Sequence, residues 1–158
     1  MHMRRKDREV TDESCIEEII ENCDCLRLGL ADGDRPYIVP LNFGWHRNNN
    51  KLVFYFHGAK EGRKIDLINK NQYAGFELDT NHLLITHDTA CGHAFRFQSI
   101  IGAGTVEMVE EHEEKAAALR LIMKHHTKKD EWEIPRQMAD AVAVIKLTAD
   151  EYACKEHE

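Results

Sequence analysis

Residues 53–68 read VFYFHGAKEGRKIDLI, and they divide into a strand, a tight connection and a helix. Val53 to Phe56 are β-branched or aromatic, which is typical of a largely buried strand. Gly58 and Gly62 bracket the connection, and the apolar positions that follow indicate one buried face of a helix. The start of a helix is therefore expected directly after the end of a strand.

Cationic side chains gather at this junction, although the whole chain carries a formal net charge of −7. His57, Lys60, Arg63 and Lys64 lie between the strand and the helix. A helix N-terminus presents unpaired backbone N–H groups and a partial positive charge, so added cations favour an anion site. We interpret the junction as a phosphate cradle beside a titratable histidine. The alternative is a solvated first turn with ordinary surface cations, because neither G-x-x-x-x-G-K-[ST] nor G-x-G-x-x-G fits.

Length and composition limit the class of protein. The chain has 158 residues, of which 42% are hydrophobic and 31% charged, and this favours one globular domain over residues 1–158. The negative net charge argues against nucleic-acid binding, and no apolar run reaches the ~20 residues of a membrane span. Five cysteines without a disulfide framework, and no apolar signal segment, lead us to expect a cytoplasmic protein with reduced thiols.

Short strands dominate the rest of the predicted secondary structure. Thr11 or Asp12 is expected to cap a helix that ends near Asn22, and the alternation from Cys25 to Ala31 predicts a half-buried strand. Pro40 cannot donate a ladder hydrogen bond, so its strand is predicted to be an edge or to be bulged there. The further elements are a loose arm at 1–10, strands at 37–44 and 73–78, a loop at 80–93, one or two strands at 94–109, a helix at 110–126 and a strand at 141–147. This order predicts a small, closed or nearly closed antiparallel barrel with a few covering helices.

Two other groups of reactive side chains carry weaker signals. Cys23-x-Cys25 and Cys91-x-His93 contain zinc-type ligands, but their spacing is not that of a standard knuckle, so buried inert cysteine is favoured and no metal is expected. Ser99 lacks the G-x-S-x-G frame of a nucleophile elbow, which argues against a serine hydrolase.

Three segments together resemble a known family: YIVPLNFG at 37–44, FYFHGAKEGRKIDLI at 54–68 and FRFQSIIG at 95–102. They are similar to the pyridoxamine 5′-phosphate oxidase-related flavoproteins, and within these to the branch of nitroimidazole-resistance (Nim-type) reductases. The resemblance covers nearly the whole chain. It implies a mainly β (α+β) fold, a split β-barrel of the FMN-binding type, which forms a homodimer with FMN at the subunit interface.

The resemblance also implies a set of site residues. It implies that Arg63 and Lys64 hold the flavin phosphate and that His57, besides binding the cofactor, matches the active-site histidine of the Nim-type proteins. The remaining cofactor-binding residues it implies are Val39, Pro40, Leu41, Asn42, Phe56, Gly58, Ala59, Gly62 and Ser99. The substrate-binding ending of true pyridoxamine phosphate oxidases is missing from residues 152–158, so that oxidation is not expected.

These observations lead us to expect a flavin-dependent oxidoreductase that reduces small electron-poor acceptors such as nitroimidazoles and other nitroaromatics. FMN is the expected cofactor, and FAD is the alternative because a phosphate cradle accepts either. His57 is expected to donate a proton to the reduced acceptor or to orient it. The other functional readings are a flavin carrier or sensor without robust turnover and a haem-binding split barrel.

Overall fold

The computed structural model describes residues 3–157 and contains, within them, eight strands and four α-helices. The strands are β1 (Glu9–Val10), β2 (Leu26–Asp32), β3 (Arg35–Leu41), β4 (Gly44–Asn48), β5 (Lys51–Gly58), β6 (Tyr73–Ile85), β7 (Ala94–Met108) and β8 (Ala143–His157). The helices are α1 (Glu13–Asn22), α2 (Arg63–Lys70), α3 (His112–Thr127) and α4 (Arg136–Ala141).

All strands belong to one antiparallel sheet with the order β3-β2-β6-β7-β8-β5-β4, and β1 pairs with β8 beside this path. The prediction of a mainly antiparallel β fold is confirmed. The closed barrel is not observed, because within residues 3–157 β3 pairs only with β2 and β4 only with β5, so these two strands end the sheet. The edge position of β3 also agrees with the prediction from Pro40.

The sheet buries apolar side chains on both of its faces. Phe54 and Phe56 point into the main core with 0% exposure, and the alternate residues Val53 and Tyr55 point to a second cluster beneath α3. This follows from the two-residue period of a strand. The helix α3 lies directly on β4, because a Cβ atom added at Gly44 would overlap the backbone of Ile122.

The predicted loop over residues 80–93 is wrong in part. Strand β6 continues to Ile85 through a bulge between Thr80 and Leu83, and it pairs there with the start of β7. The side chains in this extension are exposed, so the backbone pairing leaves no alternation of burial for the sequence to show. The short helix α4 and the C-terminal half of β8 were not predicted either.

The predicted loose arm contains regular structure where it is described. Residues 6–8 form a 3₁₀ turn, and β1 pairs Val10 with Cys154 of β8. Met1 and His2 lie outside the described residues.

Candidate functional site

The predicted cradle lies where β5 ends and α2 begins. Gly62 is the N-cap of α2, and its carbonyl oxygen accepts hydrogen bonds from the N–H groups of Ile65 at 2.9 Å and Asp66 at 3.1 Å. The backbone N–H groups of the first turn of a helix have no partner within the helix. Gly62 has φ +130° and ψ 168°, a conformation that is essentially restricted to glycine. The sequence therefore uses glycine to bring an open helix N-terminus to the end of a strand.

Two cationic side chains flank this N-terminus and are held by different neighbours. The Arg63 guanidinium donates to the Asp32 carboxylate at 2.7 Å and lies 4.6 Å from the centre of the Tyr37 ring. The Lys64 ammonium lies over Gly58, since a Cβ atom added there would stand 2.8 Å from Lys64 Nζ. A guanidinium has five N–H donors, so the contact with Asp32 leaves donors for a second anion. The local geometry thus brings Gly58, Gly62, Arg63 and Lys64 together.

His57 occupies the exposed end of β5, next to the cradle. It pairs with Val144 of β8 and, by alternation, shares its face with Tyr55. The ladder between β4 and β5 ends at the pair Gly44 and Tyr55, and Asn42 and His57 each lie two residues beyond it. The segment that joins β3 to β4 therefore enters the sheet opposite Tyr55, two residues before His57 on β5.

Residues 39–42, which the resemblance places beside the flavin ring, form the end of the edge strand and its exit. Val39 and Leu41 are half-buried and pack against the core, whereas Pro40 and Asn42 are exposed. The Asn42 amide donates to the carbonyl oxygen of Asp24 at 3.1 Å. Because β3 has a strand partner on only one side within residues 3–157, its other edge can offer backbone groups to a ligand.

A buried histidine near the C-terminal end of α3 supports this exit segment. His125 is 4% exposed, its ring centre lies 4.4 Å from that of Phe43, and its Nε2 donates to the Cys23 carbonyl oxygen at 2.7 Å. Its Nδ1 is buried without a hydrogen-bond partner among residues 3–157 and lies 3.8 Å from the Glu21 carboxylate. Burial lowers the pKa of His125. His125 shares one helical face with the buried Ala118 and Ile122, and this spacing is the sequence signal that could have indicated its burial.

The side chain of Phe56 and the whole of Ser99 do not lie at the cradle in one copy of the chain. Phe56 is fully buried in the core, which leaves only its main chain for a ligand. Ser99 on β7 pairs with Asp79 of β6 and Lys155 of β8. Met108 lies about nine residues further along β7, and it is level with Phe56 of β5, with β8 between the two strands. That is roughly 30 Å of extended strand. A single copy therefore does not bring Ser99 to the cradle.

Ser99 belongs to an exposed sheet surface that we call the outer face. Cross-strand pairing places Ile38, Gly29, Gly75 and Ala103 in one row across β3, β2, β6 and β7. The apolar side chains that project from this face are Ile38 at 66% exposure, Tyr73 at 49% and Ile101 at 48%. The outer face, defined by residues 29, 38, 73, 75, 99, 101 and 103, therefore carries exposed apolar side chains, and the charged Glu77, Asp79 and Lys155 share it because they pair with Ile101 and Ser99.

Two further features bear on the type of site. Among residues 3–157, no group of three or more His, Cys, Asp or Glu side chains is placed to hold a metal ion. None of the described helices combines the length and the apolar character that a membrane crossing requires.

The chain is similar to known proteins over nearly its whole length. The family model of pyridoxamine 5′-phosphate oxidase matches residues 12–156. A protein from Bacteroides thetaiotaomicron proposed to confer 5-nitroimidazole antibiotic resistance is 32% identical, with 94% of this chain and 86% of that chain covered and a TM-score of 0.79. No curated protein matches the sequence.

More distant structures share the fold. The flavocytochrome Anf3 from Azotobacter vinelandii is 19% identical, with 99% of this chain and 72% of that chain covered and a TM-score of 0.78. The FAD and heme binding protein from Mycobacterium smegmatis is 17% identical, with 96% and 74% covered and a TM-score of 0.79. Together with the open antiparallel sheet, these likenesses show a split β-barrel. The chain belongs to the pyridoxamine 5′-phosphate oxidase family.

Proposed function

We propose that this protein is a flavin-dependent oxidoreductase that reduces small electron-poor acceptors, such as nitroimidazoles. The observation that carries the proposal is the cradle, in which a glycine-capped helix N-terminus lies between Arg63 and Lys64 beside the exposed His57. Family membership supports flavin binding, and the 32% identity to the Bacteroides protein supports a nitroimidazole as the acceptor.

The residues present fit a flavin phosphate. Arg63 and Lys64 would neutralise its charge, and the backbone from Gly58 through Ala59 to Gly62 would approach it closely. The segment Val39–Asn42 would lie along the ring, where an edge strand has free backbone groups. FMN is the proposed cofactor, with FAD as the alternative, and when bound it supplies the redox chemistry.

His57 has the position of a proton donor in this scheme. It is exposed at the end of β5, directly before Gly58 and two residues beyond the last pair with β4, and we expect an acceptor stacked beside residues 39–42 to meet its imidazole. Imidazole exchanges protons readily near neutral pH. We assign His57 the role of protonating or orienting the acceptor.

We further propose that the functional unit is a homodimer. The outer face carries the exposed apolar side chains of Ile38, Tyr73 and Ile101, and exposed apolar patches are usual at protein–protein interfaces. A second copy packed on it would bring its own Ser99 towards the cradle of the first copy. This would account for the separation of Ser99 from Arg63 and Lys64 within one chain.

The first experiment is an absorption spectrum of the purified protein, followed by titration of the flavin-free protein with FMN. We expect flavin bands, and the double variant Arg63→Ala and Lys64→Ala should raise the FMN dissociation constant by about 100-fold or more, since each charge-assisted contact contributes about 1.5–3 kcal/mol. Lys70→Ala, at the other end of α2, is the matched control and should bind FMN normally. Unchanged FMN affinity in the double variant would refute the cradle.

Steady-state reduction of a nitroimidazole with several electron donors then tests the activity. Turnover that requires bound flavin supports a reductase. A protein that binds flavin but reduces no nitro compound with any donor would be a carrier or a sensor. A Soret band in place of flavin bands would indicate haem.

A further inference from the structure

A cavity of about 280 Å³ adjoins the cradle and is not used by the proposed reaction. Ile65 and Asn69, one turn apart on α2, form part of its wall, and Ala143 of β8, the strand partner of Gly58, forms another part. Its lining is mainly polar by surface, and Met108, Val109 and Val142 contribute the remaining apolar wall. The cavity lining is therefore adjacent to residues assigned to the flavin phosphate, because Ile65 follows Lys64 in the chain and Ala143 pairs with Gly58.

Two ammonium groups line this cavity. Lys60 is exposed and belongs to the cradle loop, whereas Lys115 is only 8% exposed and comes from the N-terminal part of α3. Glu110 is the one carboxylate in the lining and is itself exposed. The lining thus carries a net positive charge in a chain whose formal net charge is −7.

Lys115 is the informative residue, because a buried ammonium is costly unless its donors are satisfied. Its Nζ donates to the Val142 carbonyl oxygen at 2.7 Å, which is its one acceptor among residues 3–157. An ammonium has three donors. The hydrogen bond to Val142, which links α3 to the start of β8, uses only one of these donors. The other two are available to an anion in the cavity.

We propose that Lys60 and Lys115 form a second anion site, one that takes a phosphate group. The cavity is larger than a single phosphate, so it also accommodates part of the molecule that carries it. Two sources share this chemistry: the second phosphate of FAD anchored at the cradle, a source that rests on the proposed function, and the phosphate of a separate nucleotide-like ligand. The Asn69 amide adds a hydrogen-bond donor and acceptor for the attached group.

Isothermal titration of the flavin-free protein with FMN, FAD and ADP tests the site, together with ADP added to the FMN-loaded protein. The variants are Lys60→Met and Lys115→Met, and Lys70→Met, at the C-terminal end of α2 and outside the cavity, is the matched control. Each lost charge-assisted contact should weaken the phosphate ligand by about tenfold or more. Lys60 is exposed, so its variant keeps the test valid if Lys115→Met does not fold.

The outcomes separate the two sources. FAD that binds about tenfold or more tighter than FMN, with the advantage lost in Lys60→Met and Lys115→Met and kept in Lys70→Met, supports the dinucleotide. Equal FMN and FAD affinities, with ADP binding to the FMN-loaded protein that both variants weaken, support a separate ligand. If FMN binds but neither an FAD advantage nor ADP binding depends on these lysines, the second site is overturned and the proposed function stands.

A protein that does not bind flavin would give a different result. If neither FMN nor FAD binds but ADP binds in a manner that depends on Lys115 and Lys60, the proposed function is overturned and the anion site stands. Binding of none of the three probes overturns both.

Discussion

Gly62 provides the sharpest test of how the cradle is built. Its φ of +130° and ψ of 168° lie where an L-residue is strained by about 1–3 kcal/mol. Among residues 3–157, no atom outside Gly62 and its two chain neighbours lies within 4 Å of the position that a Cβ would occupy, so Gly62→Ala meets no steric clash with the packing around it. The lower entropy of the unfolded variant offsets about 0.4–1 kcal/mol of this strain. The net loss in the free energy of unfolding should be about 1.3 kcal/mol at the middle of these ranges and at most about 2.6 kcal/mol, from the backbone alone.

Urea denaturation of the Gly62→Ala variant and of the natural protein measures this difference in the free energy of unfolding. In thermal unfolding, the melting temperature of the variant should be lower by about 1–10 °C for a chain of this size. Gly33→Asn is the matched control, because Gly33 has φ +61°, a left-handed conformation that asparagine adopts readily. The control should change the free energy of unfolding by less than about 0.5 kcal/mol. A Gly62→Ala variant as stable as the natural protein would show that the helix start relaxes freely, and the argument for a glycine-dependent cradle would fail.

Three further predictions concern the histidines and the core. His57→Ala should lower nitroimidazole turnover by about 100-fold or more while flavin stays bound, as expected for loss of a proton donor, and steady-state kinetics with normal turnover would remove His57 from the reaction. Burial lowers the pKa of His125 below its ordinary value of 6.5, so the contribution of the neutral ring is complete above about pH 6.5 and is lost as the pH falls towards the lowered value. Urea unfolding should therefore show a smaller loss of stability between pH 7.5 and pH 5 in His125→Gln than in the natural protein, and an equal loss in the two proteins would contradict this role of His125. Phe54→Ala removes a fully buried ring that contacts two other phenylalanines and should cost about 3–5 kcal/mol in urea denaturation, and a loss below 1 kcal/mol would contradict the packing described.

Local features of the fold followed from the sequence because neighbouring residues determine them. Asp12 caps α1 by accepting from the Cys15 N–H at 3.0 Å, as predicted from its place before an amphipathic run. The alternation of β2 and the glycines around residues 58–62 were readable for the same reason. The proximity of Gly58, Gly62, Arg63 and Lys64 could be predicted because these residues are nearly contiguous in the chain, whereas their role as a phosphate cradle stays a prediction.

Features that depend on long-range pairing could not be read in this way. The extension of β6 to Ile85 is held by backbone bonds to β7, and its side chains are exposed, so no periodicity marks it. The cavity unites Lys60 with Lys115, which belong to a loop and a distant helix. The role of His125 likewise depends on Phe43, which lies on a segment far from α3 in sequence.

The distance between Ser99 and the cradle has a consequence for how the protein behaves on dilution. In the proposed homodimer, a ligand that touches Ser99 of one copy and Arg63 of another would bind the assembled pair more tightly than either copy, so cofactor occupancy and subunit association would be coupled by mass action. Cofactor would then raise the fraction of paired chains, and dilution below the dimer dissociation constant would release the cofactor even when each cradle is intact. Occupancy would depend on the abundance of the protein as well as on the supply of flavin.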